Sequence, residues 1–470
     1  MIEGQAFGVP VGACRLPAAR SLAGFAAGRR PAEAGETPAV PMFVTERDTS
    51  GPLDLSQADV DAINAAGRGE AGVMFPPRED KKPLLYALPD KDGKYTVQAG
   101  NVVGFVALPS GRTLHVQSKL GSNVGVFWLL LHALKFDVSI LKRWPELPGE
   151  RNVLSAVLLL LREEARKLIH SGLRKDYLPV EETLGEVRGR ILPARTIAET
   201  RGLAHRVTCL YDDYTAHVFD NQVLRQALRA GAAHSPGLRA ALLGTDALFE
   251  GEVSYEPASR SLAADRLKRL MDARHPSRRA YIAAHSLSYI VLRLLSYSDF
   301  GSSSRQPGVL LNMEKLFEMA LRNMLEQEFG RDGSTPREIK FGATDPAVAK
   351  GLKPDISLHG LLVDAKYKEK PLFPRSNEMG LQPPDGDVFQ AHTYSYFGNR
   401  PCALVYALGN HTPQRELLTG GLDQASDALW PRVGLFGLNL AGIDIDTLEF
   451  ARQQLVERLD RFRRCNLSQV

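Results

Sequence analysis

Two short apolar runs, residues 352–358 and 361–368, flank His359-Gly360 and constrain this chain more than any other stretch. Both are rich in Leu, Ile and Val, and the break between them is short, so the simplest local structure is a β-hairpin. Such a hairpin brings Asp355 on the first strand beside Asp364 on the second. Side chains alternate along a strand, which puts Asp364, Lys366 and Lys368 on one face and Val363, Ala365 and Tyr367 on the other. One face is suited to chemistry and the other to a core.

Two convergent carboxylates with a lysine close by fit the hydrolysis of a phosphodiester. Mg²⁺ takes hard oxygen ligands and keeps several waters, so Asp355, Asp364 and a phosphate oxygen make a sufficient site, with Mn²⁺ expected to substitute. A cation held there polarises the phosphate and acidifies a bound water. The Lys366 ammonium then holds the attacking water and offsets charge developing on the phosphate oxygens. The plainer reading is a surface hairpin with a solvated acid. A D-x-K tripeptide alone is weak, and it is Pro354-Asp355 on the preceding strand that gives the pattern weight.

The flanks add candidates. Asn312 is placed to cap a helix whose apolar positions Met313, Leu316, Phe317, Ala320, Leu321, Met324 and Leu325 keep the helical repeat. Glu318, at the edge of that stripe, is either a third metal ligand or the partner of Arg322 one turn on. Asp387, Gln390 and Tyr394 share one face of a second helix, ahead of a buried-looking strand from Cys402 to Leu408. Gln390 is either a group that holds the water or a DNA phosphate, or an ordinary surface glutamine. The order of elements from 312 to 408 predicts an α/β core with a mixed sheet and the acids at one edge.

At 470 residues the chain exceeds one ordinary core. A multidomain α+β protein is expected, with a flexible extension over 1–50, a β-rich module over 51–125, a helical connector over 126–305 and the hairpin-bearing domain over 306–470. In the β-rich part the runs are Tyr95 to Gln98, Val102 to Leu108 and Thr113 to Gln117; in the connector, helices are expected over Leu154 to His170 and Asp220 to Arg229. An amphipathic helix from Asp446 to Arg464 closes the chain, turning Leu448, Leu455, Leu459 and Phe462 inward.

A net charge of only +4 argues against a histone-like binder, while the Arg266, Lys268, Arg269, Arg274, Arg278 and Arg279 stretch offers a candidate contact with phosphates or an acidic partner. Against that stands a solvated helix face. The Pro-rich connection 371–387 is either a loop over the site or an insertion. Cys14, Cys209, Cys402 and Cys465 are scattered, so neither a zinc site nor a disulfide framework is expected, and a reducing cytoplasm fits. No run reaches membrane-spanning length, and Gly93-Lys94-Tyr95 fails the phosphate-loop pattern.

With these residues assembled, Pro354-Asp355 and Asp364-Ala365-Lys366 resemble the PD-(D/E)xK nuclease signature, and the chain after about residue 80 resembles the McrC family, the nuclease subunit of McrBC-type restriction systems. Val103-Gly104-Phe105 with Leu114 to Lys119, Gly172-Leu173 to Tyr177, Val187-Arg188-Gly189-Arg190 and Asp220-Asn221 carry the rest of that resemblance. It implies a PD-(D/E)xK domain over 306–470 with Glu318, Asp355, Asp364, Lys366 and Gln390 at the nuclease positions. It implies double-stranded DNA as substrate and docking of the β-rich module on a hexameric ring of McrB-like AAA+ GTPases, whose hydrolysis it stimulates. A non-cleaving adaptor and a stand-alone nuclease are the alternatives.

Overall fold

A computed structural model of the chain describes residues 42–69, 73–74, 83–121, 123–146, 153–201, 205–256, 258–273, 275–296, 308–330, 339–341, 350–368, 373–374, 381–382, 384–409, 433–442 and 444–467. The proposed flexible extension therefore falls outside the described residues up to 41. Its end differs from expectation, because β1 (Met42–Thr45) is a strand.

The first layer is built from β1, α1 (Gln57–Arg68), β2 (Val73–Met74), β3 (Leu85–Pro89), β4 (Tyr95–Ala99), β5 (Val102–Ala107) and β6 (Thr113–Gln117). The three strands read from the sequence are present. The helix α1 was not expected, yet its start is written plainly: the Ser56 hydroxyl accepts from the Asp59 N–H while Asp59 Oδ2 accepts from the Ser56 N–H, both at 3.2 Å. β3 and β4 form their own hairpin. The main sheet runs β1-β6-β5-β10-β2, where β10 (Gly308–Asn312) arrives from far along the chain to lie antiparallel to β5. Gly104 makes that approach possible: at φ +144° it avoids a collision that a Cβ would have with the Val309 carbonyl.

The middle of the chain holds α2 (Asn123–Leu134), α3 (Val153–Ser171), β7 (Asp176–Leu184), β8 (Arg190–Ile191), α4 (Pro193–Thr200), β9 (Val207–Thr215), α5 (Phe219–His234), α6 (Arg239–Ala247), α7 (Arg260–Asp272) and α8 (Ile282–Ser296). The helices read from the sequence are there as α3 and α5. The expectation of a helical connector needs correcting, since β7-β9-β8 make a three-stranded antiparallel sheet within it. Arg278 and Lys268 of the basic stretch are held internally, by Asp220 at 2.8 Å and Asp272 at 3.2 Å, and Arg266 stacks on Phe219.

After β10 come α9 (Met313–Phe329), β11 (Ile339–Phe341), β12 (Lys350–Leu352), β13 (Ile356–Leu358), β14 (Leu361–Lys366), β15 (Phe373–Pro374), β16 (Leu381–Gln382), α10 (Asp385–Gly398), β17 (Cys402–Leu408), β18 (Val433–Asn439) and α11 (Ile445–Leu467). Asn312 caps α9, its side chain accepting from the Lys315 N–H, and all seven expected apolar positions are buried. β13 and β14 form the hairpin, with Gly360 at φ +78° in its turn. The first expected strand is interrupted, because β12 pairs with β11 and leaves Asp355 in the break before β13. The sheet β13-β14-β17-β18 is mixed, its last three strands parallel.

Helices cover both faces of that sheet. On one side α10 packs over Leu362, Leu404 and Tyr406. On the other, Val363, Tyr367, Ala403 and Val405 join the buried residues of α9 and α11 in the largest core of the molecule. That core also takes in α2, whose terminal carbonyls at His132 and Ala133 accept from Asn323 of α9 at 3.0 and 2.9 Å. The sheet is thus fastened to the middle of the chain as well as to its own helices. Among the described residues no helix is long and apolar enough to cross a membrane.

Candidate active site

The hairpin, the strand beside it and the helix over it bring four of the five expected residues together. Asp355 Oδ2 accepts from the Ala365 N–H at 2.8 Å, a cross-strand bond that draws the first acid to the second strand. Asp364, 2 % exposed, lies on the α10 side, and Lys366 follows it on the same face. The Lys366 Nζ sits 2.6 Å from Asp364 Oδ2 and donates to Gln390 Oε1 at 2.8 Å. Gln390 in turn donates through Nε2 to the Tyr394 hydroxyl at 2.7 Å, which donates to the Lys353 carbonyl at 3.0 Å. α10 therefore closes a chain of bonds from the lysine back to the segment that carries Asp355.

Burial, and then repulsion from Asp364, push the Asp355 carboxyl up to about 7, against the pull of the Ala365 N–H and Lys366. Lys366 shows the opposite balance. Burial alone would lower it, but Asp364, Asp387 and Asp355 together hold it above the ordinary lysine value, so it stays an ammonium. Acid outweighs base here. Asp364 Oδ2 is buried and, although Lys366 is close, has no well-directed hydrogen bond.

Asp387 belongs to the site, and the sequence placed it on the right helix face without giving it a role. It is 5 % exposed, lies 3.7 Å from Lys366 Nζ, takes an ion pair from Lys368 at 2.7 Å and accepts from the Tyr406 hydroxyl at 3.0 Å. Tyr406 sits inside the apolar strand β17, paired with Lys366 across the sheet, where nothing in the sequence distinguishes it from core.

Glu318 stands apart from this cluster. Its carboxylate is taken by Lys315 at 2.7 Å and Arg322 at 2.8 Å, and it reaches the site only through Arg322, which donates to the Asp355 carbonyl at 2.7 Å. Of its two readings, the geometry is that of the helix pair. Asp355 and Asp364 are the acids that could hold a divalent cation here; among the described residues no set of three or more such ligands converges. Two carboxylates suffice for an ion that keeps most of its waters. Asp355, raised first by burial and then by Asp364, is compatible with such an ion beside it, although the Asp364 oxygen is already met by Lys366 at 2.6 Å.

No curated protein matches the chain. Among solved structures, a refined half-complex from a tetradecameric assembly of Thermococcus gammatolerans McrB AAA+ hexamers with bound McrC is similar over 89 % of this chain and all of the matched one, at 15 % identity and a TM-score of 0.57. The cryo-EM structure of the Thermococcus gammatolerans McrBC complex is similar over 64 % and 90 %, at 17 % identity and a TM-score of 0.44. The first of these is a likeness of fold. The family model described as McrBC 5-methylcytosine restriction system component matches residues 97–407, most of the chain and the whole of the site from Asp355 to Gln390. On that match, the chain belongs to the McrBC restriction system component family.

Proposed function

We propose that this chain is the nuclease subunit of a McrBC-like restriction complex, a Mg²⁺-dependent PD-(D/E)xK endonuclease that cuts double-stranded DNA in concert with an AAA+ GTPase ring. The observation that carries the reading is the pair of half-buried Asp355 and buried Asp364 facing Lys366, which Gln390 holds. Asp355 and Asp364 would hold Mg²⁺, or Mn²⁺ in its place, and a cation there supplies the charge that polarises the phosphate and acidifies a water.

The protein's own groups do the remainder. Asp355, pushed up to about 7, would be ionised with a cation beside it, its proton passing to solvent. Lys366 keeps its proton and presents a fixed ammonium to the oxygens on which charge grows, worth most in a site that water enters poorly. Gln390 holds that ammonium in place, so its expected contribution is orientation of lysine or water.

The partner reading extends to this chain what is named for the similar complex, McrB hexamers with bound McrC. The β-rich module is the expected docking element, but its apolar residues are largely buried around β3 to β6. Besides those at Phe389, Tyr396 and Phe450 elsewhere, exposed apolar side chains gather on and beside the β7-β9-β8 sheet and α4, where the tilted Tyr177 and Tyr214 rings lie 4.9 Å apart and Val187, Ile191 and Ile197 face solvent. That supports placing the ring contact there. The adaptor reading is favoured only by the absence of a third acidic ligand among the described residues.

Plasmid cleavage by the full chain with its cognate GTPase, in Mg²⁺ and in EDTA, separates the two. Cutting that needs both Mg²⁺ and Asp364 supports the nuclease. GTPase stimulation without any cutting would establish the adaptor.

A further inference from the structure

Glu46 follows directly on β1, yet its side chain lies against the end of the site strand. It is 2 % exposed. Its Oε2 accepts from the Tyr367 hydroxyl at 2.9 Å and from the Lys119 backbone N–H at 3.3 Å, while Oε1 is buried without a hydrogen bond. The Lys119 ammonium lies 3.9 Å from the centroid of the Tyr367 ring, which also packs against Phe317 of α9. Glu46 is itself fixed, its N–H donating to the Gln117 carbonyl at 2.8 Å. Neighbouring Arg47 donates through Nε to Asn101 Oδ1 at 2.6 Å, and the Asn101 carbonyl accepts from the Met313 N–H at the start of α9.

Tyr367 stands where the sheet stops holding the chain. The pairing of β14 with β17 ends at Lys366 opposite Tyr406. Strand alternation turns Tyr367 toward α9, and turns Lys366 and Lys368 on either side of it toward α10, where both approach Asp387. Tyr367 thus sits on the backbone between the two lysines whose ammonium groups Asp364, Gln390 and Asp387 receive. A carboxylate is a demanding anchor for a phenol, since burial pushes Glu46 up to about 7 even with Lys119 and the Tyr367 hydroxyl pulling it down.

We propose that Glu46 is a positioning residue for Lys366, locking the end of the site strand to the N-terminal sheet through the Tyr367 hydroxyl. The activity readout rests on the nuclease reading above; the labelling readout rests on geometry alone. The test uses full-length Tyr367→Phe, Glu46→Ala and Glu46→Gln, each shown to fold by circular dichroism and a cooperative melt. Lysine acylation followed by mass spectrometry is compared with Lys135, an exposed lysine distant in sequence.

Labelling of Lys366 and Lys368 is expected to rise about threefold or more in Tyr367→Phe and Glu46→Ala, with kcat for cleavage falling about tenfold at unchanged KM for DNA. Glu46→Gln keeps an oxygen that accepts from the phenol and should stay near the wild type in both. Unchanged labelling in the folded variants overturns the proposal whether or not the protein cuts, and so does increased labelling with undiminished kcat. A wild type that fails to cut, or cuts as well with Asp364→Ala, fells the nuclease reading instead and leaves labelling to judge the anchor.

Discussion

Asp220 at the start of α5 and Asp364 in the middle of β14 are both 2 % exposed, and the protein treats them in opposite ways. Asp220 is met by Arg174 at 3.1 Å and Arg278 at 2.8 Å. Its neighbour Asn221 donates to the Arg174 and Ala216 carbonyls and accepts from the Tyr281 hydroxyl at 2.6 Å. Around Asp364, three acids share Lys366 and Lys368, and Asp355 is pushed up to about 7. A buried acid matched by its own guanidinium groups is architecture. A cluster of acids with fewer cations to share is the place where the proposed metal ion would add the missing charge.

The comparison breaks if the two sites respond alike to losing their acids. Asp220→Ala takes the carboxylate from Arg278 and leaves Arg174 only Asp176, and should lower stability by about 3 kcal/mol, as measured by urea denaturation. A cost below about 1 kcal/mol would mean the guanidinium groups find water and the network is not structural. Asp364→Ala and Lys366→Ala should instead fold normally and cut plasmid DNA about a hundredfold more slowly or worse in Mg²⁺. Near-normal cutting by both variants would remove this cluster from the chemistry.

A smaller effect sharpens the picture at Glu46, whose carboxyl is raised from 4.5 to about 7. The folded protein then holds a proton that the unfolded chain has released, so the contribution to stability is complete below about pH 4.5 and is lost as pH rises through about 7. Between pH 5 and pH 8, in metal-free buffer, the wild type should lose on the order of 1–2 kcal/mol relative to Glu46→Gln. Parallel pH profiles for the two proteins would show that Glu46 is charged in the fold.

The smallest change is expected at Glu318. Because its carboxylate is spent on Lys315 and Arg322, Glu318→Gln should shift the Mg²⁺ concentration for half-maximal cleavage by less than about twofold. A shift of about tenfold would show that Glu318 turns to the cation when one is bound, and would move it to the other side of the comparison.

The site was legible where chemistry and local periodicity coincide. Asp355, Asp364 and Lys366 lie within one hairpin, and Asn312 and the α9 stripe follow from capping and helical spacing alone. What escaped depends on pairing at a distance. The β7 and β9 strands are crowded with acids at Glu181, Glu182, Asp212 and Asp213 and keep much of their surface exposed, so they lack the apolar alternation that marks a strand. Glu46 lay at the edge of a stretch with no periodicity. Tyr406 was hidden in an apolar run, its hydroxyl aimed at Asp387 by a strand order no local rule supplies.

The position of β10 bears on how this protein is made. The strand lies between β5 and β2, so the first sheet has a gap until residues 308–312 emerge from the ribosome. The chain cannot finish its beginning before it has made its middle. Hydrogen-bonding groups on β5 wait for a strand separated from them by the whole of α2 to α8, a loop closure that favours slow, late completion. A fragment cut near residue 305 would keep this edge open and invite aggregation. In synthesis, the same wiring delays assembly of the site until the rest of the molecule is present, since the strand that completes the first sheet runs directly into α9.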